Sequence, residues 1–188
     1  MLNRICLIFI LAFTAACGGS STAPVADVTY LQDPLDILET VRDLAPRNPQ
    51  FLQSSGTAVY TGGLTIEHTP DDALFGTMRL NVDFGSDSFD GTADRFVDGS
   101  RIPFDGVLDI TEGVIDREGD FAADYSATAL IEGTLTSADD DVTVNGFVVG
   151  DFAGGSGQFY RGFLRIGLNG LPYQDGAPFG GIVGAERQ

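Results

Sequence analysis

The sequence predicts an all-β protein: a single eight-stranded antiparallel up-and-down β-barrel preceded by a short N-terminal helix. Three observations lead to this prediction. From Gly56 onward, apolar and polar residues alternate with a period of two, which is typical of half-buried strands. Eight alternating segments are separated by short turn sequences rich in Gly, Asp and Pro. Eight hairpin-linked strands can close on themselves and remove both sheet edges.

Residues 1–16 have the features of a secretory signal. Arg4 supplies a positive charge, and residues 5–13 form an apolar run too short to cross a bilayer as an ordinary helix. Small residues then precede Cys17, which resembles the lipobox of bacterial lipoproteins, where a peptidase cuts before an acylated cysteine. The lipobox usually has Leu where this chain has Thr14, so ordinary cleavage after Ala16 is the alternative. In both cases we expect export, and the resemblance implies that Cys17 bears the lipid.

The expected domain organisation follows from this signal and from the alternating segments. We expect a lipoprotein signal peptide at 1–16, a flexible tether at 17–29, a helix and linker at 30–55 and the barrel domain at 56–188. Cys6, the other cysteine, lies in the segment that is removed. A lipidated mature chain would therefore have no free thiol and no disulfide, and its stability must come from the core.

The charge of the mature chain is strongly negative. Without Arg4, nine arginines remain against 27 carboxylates, there is no lysine, and the net charge is about −18. Such a field repels nucleic acids and anionic lipid headgroups, which excludes a nucleic-acid partner and electrostatic docking to a membrane. The charge by itself names no ligand. We expect it to serve solubility in a salty external medium, and attraction of a cationic ligand is the alternative.

One amphipathic helix is predicted over residues 33–44. Asp33 is placed to be its N-cap, Pro34 to be its first residue, and Pro46 ends it. The apolar stripe of this helix consists of Leu35, Leu38, Val41 and Leu44. We expect the stripe to pack on the barrel as a lid, and a helix that binds a partner is the alternative.

Eight strands are predicted, and turn-forming residues separate them. The strands are residues 57–67, 75–84, 88–95, 103–111, 121–135, 142–151, 158–167 and 178–186. Glycines within or beside them are expected to be packing devices, namely Gly62, Gly91, Gly106, Gly133 and Gly162. A membrane-spanning barrel would need aromatic girdles and would enclose the many carboxylates, and this chain has no Trp. We therefore expect the apolar faces to point inward.

Four glycine-rich stretches carry a resemblance to a known family. They are GTAVYTG at 56–62, LNVDFG at 80–85 followed by FDGT at 89–92, VNGFVVGDFAG at 144–154, and FGGIVGAER at 179–187. Their order and spacing resemble the β-barrel domain of transferrin-binding protein B and related solute-binding surface lipoproteins. The resemblance covers residues 56–187, which is most of the mature chain.

The resemblance implies a lipid-anchored outer-membrane or cell-surface binding protein. Family members capture iron carriers, haem or other host ligands for an outer-membrane transporter, so a carrier protein or environmental ligand and a transporter are the expected partners. Large members pair each barrel with a handle domain, whereas only residues 18–55 precede the barrel here. The resemblance therefore does not extend to transferrin binding itself. The alternative is a structural or interaction lipoprotein of the envelope that binds no small ligand.

The sequence offers little catalytic or metal-binding chemistry. His68 is the single histidine, and zinc sites need three or four nitrogen or sulfur ligands. The same scarcity excludes Ser-His-Asp and Cys-His nucleophiles, so we do not expect an enzyme. Carboxylates cluster at residues 83–90 and 139–141, but neither cluster follows a calcium-loop pattern, and we expect solvated turns there. No cofactor is expected, with haem or a metal ion at His68 as the alternative.

Two groups of residues are candidate binding surfaces. Tyr60, Tyr125 and Tyr160 are expected on the apolar faces, and with His68 in the following link they form a candidate ligand mouth. On the seventh predicted strand, the residues of one face are Phe159, Arg161, Phe163 and Arg165. Arginine with aromatic residues is typical of binding hot spots, so this strip is the first candidate partner surface. Packing of the strip under the helix is the alternative.

Overall fold

The computed structural model describes residues 29–69, 72–118, 125–155, 157–168 and 180–188. The predicted signal peptide, Cys17 and all but the last residue of the predicted tether lie outside these residues. The same holds for the predicted starts of the fifth strand, at 121–124, and of the eighth, at 178–179.

Within these residues the chain forms one α-helix, two short 3-10 turns and nine strands. The helix α1 is Gln32–Arg42, and the 3-10 turns are Thr29–Leu31 and Pro49–Phe51. The strands are β1 Thr57–Thr69, β2 Asp72–Asp83, β3 Ser88–Val97, β4 Pro103–Phe104, β5 Leu108–Ile115, β6 Ala127–Thr136, β7 Asp141–Ala153, β8 Phe159–Leu168 and β9 Gly180–Arg187.

The strands close into a barrel. Each long strand pairs antiparallel with the next long strand in the chain, and β9 pairs with β1 from Tyr60 opposite Arg187 to Leu64 opposite Val183. The two-residue β4 pairs only with the end of β3 and stands outside the circle of eight. The predicted all-β fold, an eight-stranded antiparallel barrel with a short helix before it, is confirmed.

Alternate residues of each strand fill the interior. On β2 and β6, for example, Leu80, Val82 and Ile131 are fully buried, while Arg79 and Glu132 between or beside them are exposed. The buried side chains form one continuous cluster that draws on every long strand. The expectation that the apolar faces point inward is confirmed, and burial of this surface is the main stabilising contribution.

The fourth predicted strand is interrupted. Residues 103–111 were expected to be continuous, but the chain leaves the sheet between β4 and β5. Gly106 has φ +127, a value that favours glycine, and a Cβ there would collide with the carbonyl oxygen of Thr134. The backbone of Asp105 instead exchanges two hydrogen bonds with Thr136 on β6, with N···O distances of 2.7 and 2.8 Å. The continuous strand was therefore wrong because this segment bridges to β6.

The start of α1 also differs from the prediction. Asp33 is the second residue of the helix and not its N-cap, and the residue before the helix, Leu31, has helical backbone angles without a side-chain cap. The reason is that the 3-10 turn Thr29–Leu31 runs directly into α1. Asp33 therefore lies in the first turn, where a negative charge interacts favourably with the helix dipole.

Helix α1 packs on the outside of the barrel over β1 and β9 and also touches β8. Val41 is fully buried there. The helix lies close because the wall beneath it presents glycines: a Cβ on Gly63 would stand 2.9 Å from the Cβ of Pro34, and one on Gly184 2.6 Å from Val41 Cγ2. The predicted lid is therefore observed, although Leu35 of its stripe remains exposed.

After the helix, the chain crosses one end of the barrel before it enters β1. Pro46 forms a β-bridge with Ala153, and the Arg47 amide donates to the carbonyl of Phe152 at 2.8 Å. Leu52 then joins the interior cluster at the barrel end. Residues 43–56, which we call the strap, therefore close the end of the barrel at which β1 starts.

Arg117 fastens the strap. Its guanidinium donates to the carbonyls of Leu52 at 3.2 Å and Gln53 at 2.8 Å in the strap, and to that of Phe84 at 3.2 Å in the turn after β2. Its Nε also pairs with Asp87 Oδ1 at 2.6 Å. One half-buried side chain thus joins three separate segments, in the bridging role for which a guanidinium with five donors is suited.

Candidate binding surface

The strip predicted on β8 is on the outer face of the barrel. Tyr160, Leu164 and Ile166 are buried in the interior, so the alternating residues point outward. The outward residues are Phe159, Arg161, Phe163 and Arg165. Phe159 and Arg161 are half-buried, whereas Phe163 and Arg165 are exposed. The strip is therefore divided, and its second half is the part that is open to solvent.

Neighbouring strands extend this open half into a larger apolar surface. The register places Phe147 of β7 opposite Arg165, and Ile182 of β9 opposite Phe163. Phe163 is 49% exposed, Phe147 46%, Ile182 39% and Tyr125, which precedes β6, 37%. Contiguous exposed apolar side chains of this size are typical of interaction sites. We call this surface the aromatic–arginine patch: Tyr125, Phe147, Phe163, Arg165 and Ile182.

Three side chains of the patch, Tyr125, Phe163 and Arg165, are held against one another. The rings of Tyr125 and Phe163 have centroids 5.9 Å apart at an interplanar angle of 54°. The guanidinium carbon of Arg165 lies 5.6 Å from the centroid of the Tyr125 ring, in cation–π geometry. Because these rotamers are already restricted, a partner would order few further side chains on binding, which lowers the entropic cost of association.

The patch ends where the strap begins. Val149, Asp151 and Ala153 alternate with the inward residues of β7, yet all three are buried. The Asp151 carboxylate accepts hydrogen bonds of 3.0 Å from both the amide and the hydroxyl of Ser126, which satisfies a buried charge. Ala153 is covered by Pro46 of the strap. The chain's own segments therefore cover one end of the β7–β8 wall and leave the other bare.

The patch carries an unpaired positive charge on an acidic protein. In the described part of the chain the ion pairs are Arg95 with Asp94 and Arg117 with Asp87, and Arg165 takes part in neither. The formal net charge of the whole chain is −17. A free guanidinium beside aromatic rings on such a background favours a partner surface that combines apolar and acidic groups.

The residues of the predicted ligand mouth are not brought together. Tyr60 and Tyr160 are fully buried in the interior, whereas Tyr125 lies outside, in the aromatic–arginine patch. The expectation for Tyr125 was wrong because β6 begins only at Ala127, so the alternation of the strand does not reach it. His68 lies within β1 and not in the link after it, eight residues beyond Tyr60. At about 3.3 Å per residue, that places it near the other end of the barrel.

The two buried tyrosines help to fill the interior at the strapped end. Phe152 stacks edge-on between them, with ring centroids 5.6 Å from Tyr60 and 5.5 Å from Tyr160. The Tyr60 hydroxyl donates to the carbonyl of Gly157, whereas the buried Tyr160 hydroxyl has no hydrogen-bond partner in the part of the chain that the structure describes. The interior is thus occupied by aromatic rings at this end.

Burial perturbs both phenols in the same direction. Desolvation raises the pKa of Tyr60 to about 12, against an opposing effect of the nearby Arg187. Desolvation also raises the pKa of Tyr160, and the negative charge of Asp151 adds to the increase. Both groups are therefore neutral at physiological pH, which suits a packed core.

Sequence reasoning found the β8 strip and missed its neighbours. Phe147 and Ile182 belong to the patch only because the register sets them beside Arg165 and Phe163. A signal for Phe147 was present in the alternation of β7. Val142, Val144 and Val148 are inward, so an aromatic residue at an odd position had to point outward.

Other site classes find little support in the described residues. No three His, Cys, Asp or Glu side chains among them are grouped closely enough to hold a metal ion. None of the helices in the described ranges has the length and apolar character that a bilayer-spanning helix needs. Comparison with models of known protein families and with curated protein sequences finds no match to this chain.

Proposed function

We propose that this protein is an exported, lipid-anchored binding protein of the bacterial outer membrane or cell surface, which captures a protein partner through the aromatic–arginine patch. The observation that carries the proposal is the set of four contiguous large apolar side chains, each more than a third exposed, around Arg165, which has no ion pair among the described residues. Such a surface costs solubility unless a partner covers part of it. A barrel closed without edges is a rigid support for it.

The anchor and the location follow from the N-terminal segment. Acylation of Cys17 would hold the barrel at a membrane surface through a tether that leaves the patch free to meet a partner. The resemblance to transferrin-binding protein B barrels suggests an iron carrier protein or haem as the captured ligand, and an outer-membrane transporter as the receiver. A partner with apolar side chains flanked by carboxylates fits the chemistry of the patch.

The filled interior favours a protein partner over a small ligand held inside the barrel. Tyr60, Phe152 and Tyr160 occupy the strapped end with rings in contact. The alternative function is that of a structural lipoprotein that binds a permanent envelope neighbour. Because the interior is filled, this neighbour would use the same patch on the outer surface. The two functions differ in what is bound: a carrier that is released, or a stoichiometric envelope protein that is not.

Site-specific crosslinking in cells tests the proposal. A photo-crosslinking residue replaces Phe163 in the patch or, as the control, Val114, an exposed residue of β5 outside the patch. We expect a discrete crosslinked protein from position 163 and none from position 114. Arg165→Glu should abolish this product, since it reverses the charge that the partner meets. Equal crosslinking at the two positions would remove the patch from consideration.

The anchor and the ligand class are tested separately. Labelled palmitate should enter the wild-type protein and not the Cys17→Ser variant, and a mature N-terminus other than residue 17 would contradict lipidation. Purified protein is then titrated with haem and with iron carrier proteins. Binding that Phe163→Ser removes supports capture of an iron ligand. A lack of binding, with a stable envelope protein crosslinked at position 163, supports the structural alternative.

A further inference from the structure

A second surface feature lies on the other side of α1 from the aromatic–arginine patch. A groove of about 380 Å³ runs between the start of the helix and the outer wall of β1, β2 and β3. Its floor includes Arg79, which the register sets between Thr61 and Thr92 of the adjacent strands. Asp33 stands on the helix side of the groove, and Tyr30 and Arg95 form part of its rim.

The rim is held by a connected set of contacts. The Tyr30 hydroxyl donates to the Arg95 carbonyl at 2.8 Å, and the Arg95 guanidinium carbon lies 4.9 Å from the centroid of the Tyr30 ring. Arg95 Nε also lies 3.3 Å from Thr77 Oγ1 and 3.5 Å from Asp94 Oδ1. Arg95 has φ +54, unusual for a residue with a side chain, at a bulge of β3. These contacts leave Arg95 and Asp94 already paired.

Arg79 and Asp33 remain without partners. Neither side chain has a hydrogen bond or an ion pair among the described residues, and both are exposed to the groove. One is a planar guanidinium on the floor and the other a carboxylate on the helix side. The lining of the groove also includes the apolar residues Pro34 and Ile37. The groove therefore offers one free charge of each sign and an aliphatic contact.

We propose that this groove binds a small zwitterion with the chemistry of an α-amino acid that has an aliphatic side chain. The guanidinium of Arg79 pairs with the ligand carboxylate in the bidentate geometry that arginine favours. Asp33 pairs with the ammonium group, and the aliphatic side chain lies against Pro34 and Ile37. A zwitterion has no net charge, so the −17 charge of the chain does not repel it as it would repel a simple anion.

The expected affinity is modest, since both charges are open to water and exposed ion pairs are weak. We expect a Kd on the order of 1 mM for leucine, in the range typical of small ligands with few contacts. Specificity comes from the need for both charges. Leucine should bind at least about fivefold more tightly than 3-methylbutylamine, which lacks the carboxylate, and than 4-methylpentanoate, which lacks the ammonium.

The test is a titration of the purified full-length protein with these three compounds, in which calorimetry or ligand-observed NMR measures the binding. Arg79→Gln should make leucine bind no better than the amine, and Asp33→Asn should make it bind no better than the carboxylate. Arg42→Gln and Glu39→Gln are the matched controls, because both residues are exposed on α1 and neither lines the groove. Both controls should bind leucine as the wild type does, and circular dichroism checks that all four variants are folded.

Three outcomes would overturn the proposal. One is that leucine does not bind at concentrations well above the millimolar range. Another is that 4-methylpentanoate binds as tightly as leucine and Arg79→Gln abolishes both, which would make the groove a site for simple anions. The third is that the control variants lose binding as much as the groove variants do. None of these outcomes bears on crosslinking at Phe163, so the two proposals fail or succeed independently.

Discussion

The outer wall of the barrel has two sectors of opposite character. In the covered sector, β1 and β9 turn Gly63 and Gly184 outward, and α1 lies directly on them. In the bare sector, β7 and β8 turn Phe147 and Phe163 outward, and both are about half exposed. We infer from this difference that the size of the outward side chains decides which part of the wall the chain covers with its own helix and which part stays bare.

The dimensions of the helix explain why one sector stays bare. An α-helix with its side chains is about 10 Å wide, and neighbouring strands are about 4.8 Å apart, so one helix covers roughly two strands. The helix α1 has 11 residues and packs mainly on β1 and β9. Close approach also needs a wall without side chains, and an outward phenylalanine would hold the helix several ångströms away. The bare sector therefore cannot share the same helix.

The largest effect on stability is expected where the strap is fastened to the barrel. Arg117→Met removes the donors to the carbonyls of Leu52, Gln53 and Phe84 and the ion pair with Asp87. Several carbonyls would then lack a partner, and we expect the free energy of unfolding to fall by about 3 kcal/mol in urea denaturation. Because the chain has no lysine, trypsin should cut the loosened strap after Arg47.

Arg42→Met is the control for this effect. Arg42 is exposed in the last turn of α1, so its loss should change the free energy of unfolding by less than about 0.5 kcal/mol. If the two variants lose equal stability, the strap is not held by Arg117.

A smaller effect is expected where the helix touches the wall. In Gly184→Ala the new Cβ would stand 2.6 Å from Val41 Cγ2, and we expect a loss of about 2 kcal/mol, with faster tryptic cleavage after Arg42. Gly180→Ala is the matched control, because Gly180 has the same outward orientation on β9 and, of the described atoms, a Cβ there meets only Leu164 O, at 3.6 Å. Stability should be unchanged or slightly raised in the control. Similar losses in both variants would mean that the glycines do not select the helix position.

The two sectors also differ in how far the sequence could predict them. The period-two alternation predicted the closed barrel and the inward faces, because it reports burial strand by strand. The β8 strip was found in the same way. The packing of α1 over Gly63 and Gly184 was not predictable, since alternation cannot show that an outward glycine has a helix above it. Arg117 was missed because its carbonyl partners are distant in sequence and carry no side-chain signal.

The comparison extends to the two buried tyrosines, which lie on the inner faces of β1 and β8. Tyr60→Phe loses the hydrogen bond to the Gly157 carbonyl and should cost about 1 kcal/mol. Tyr160→Phe removes a buried hydroxyl that has no partner among the residues described, so stability should be unchanged or higher. Urea denaturation at pH 7 measures both. Equal losses would indicate that the Tyr160 hydroxyl is satisfied in solution.

The two buried tyrosines should also make the free energy of unfolding depend on pH in the alkaline range. Burial raises the pKa of Tyr60 from 10.0 to about 12, so between these values the unfolded state has lost a proton that the folded state retains. Stability is therefore fully present below pH 10 and falls as the pH rises, by up to about 1.4 kcal/mol per pH unit for each such tyrosine. Tyr60→Phe should make this fall shallower, and so should Tyr160→Phe. A slope unchanged by both variants would mean that other groups cause it.

The smallest effect on stability is expected in the bare sector. Phe163→Ser and Phe147→Ser remove side chains that are already about half exposed, and each should change the free energy of unfolding by less than about 0.5 kcal/mol. The same variants should elute earlier from a hydrophobic interaction column, because the apolar surface is reduced. A loss of 2 kcal/mol or more would show that the aromatic–arginine patch belongs to the fold. A negligible loss of stability in Phe147→Ser, combined with loss of the crosslinked product formed from position 163, would leave partner binding as the reason for these exposed rings.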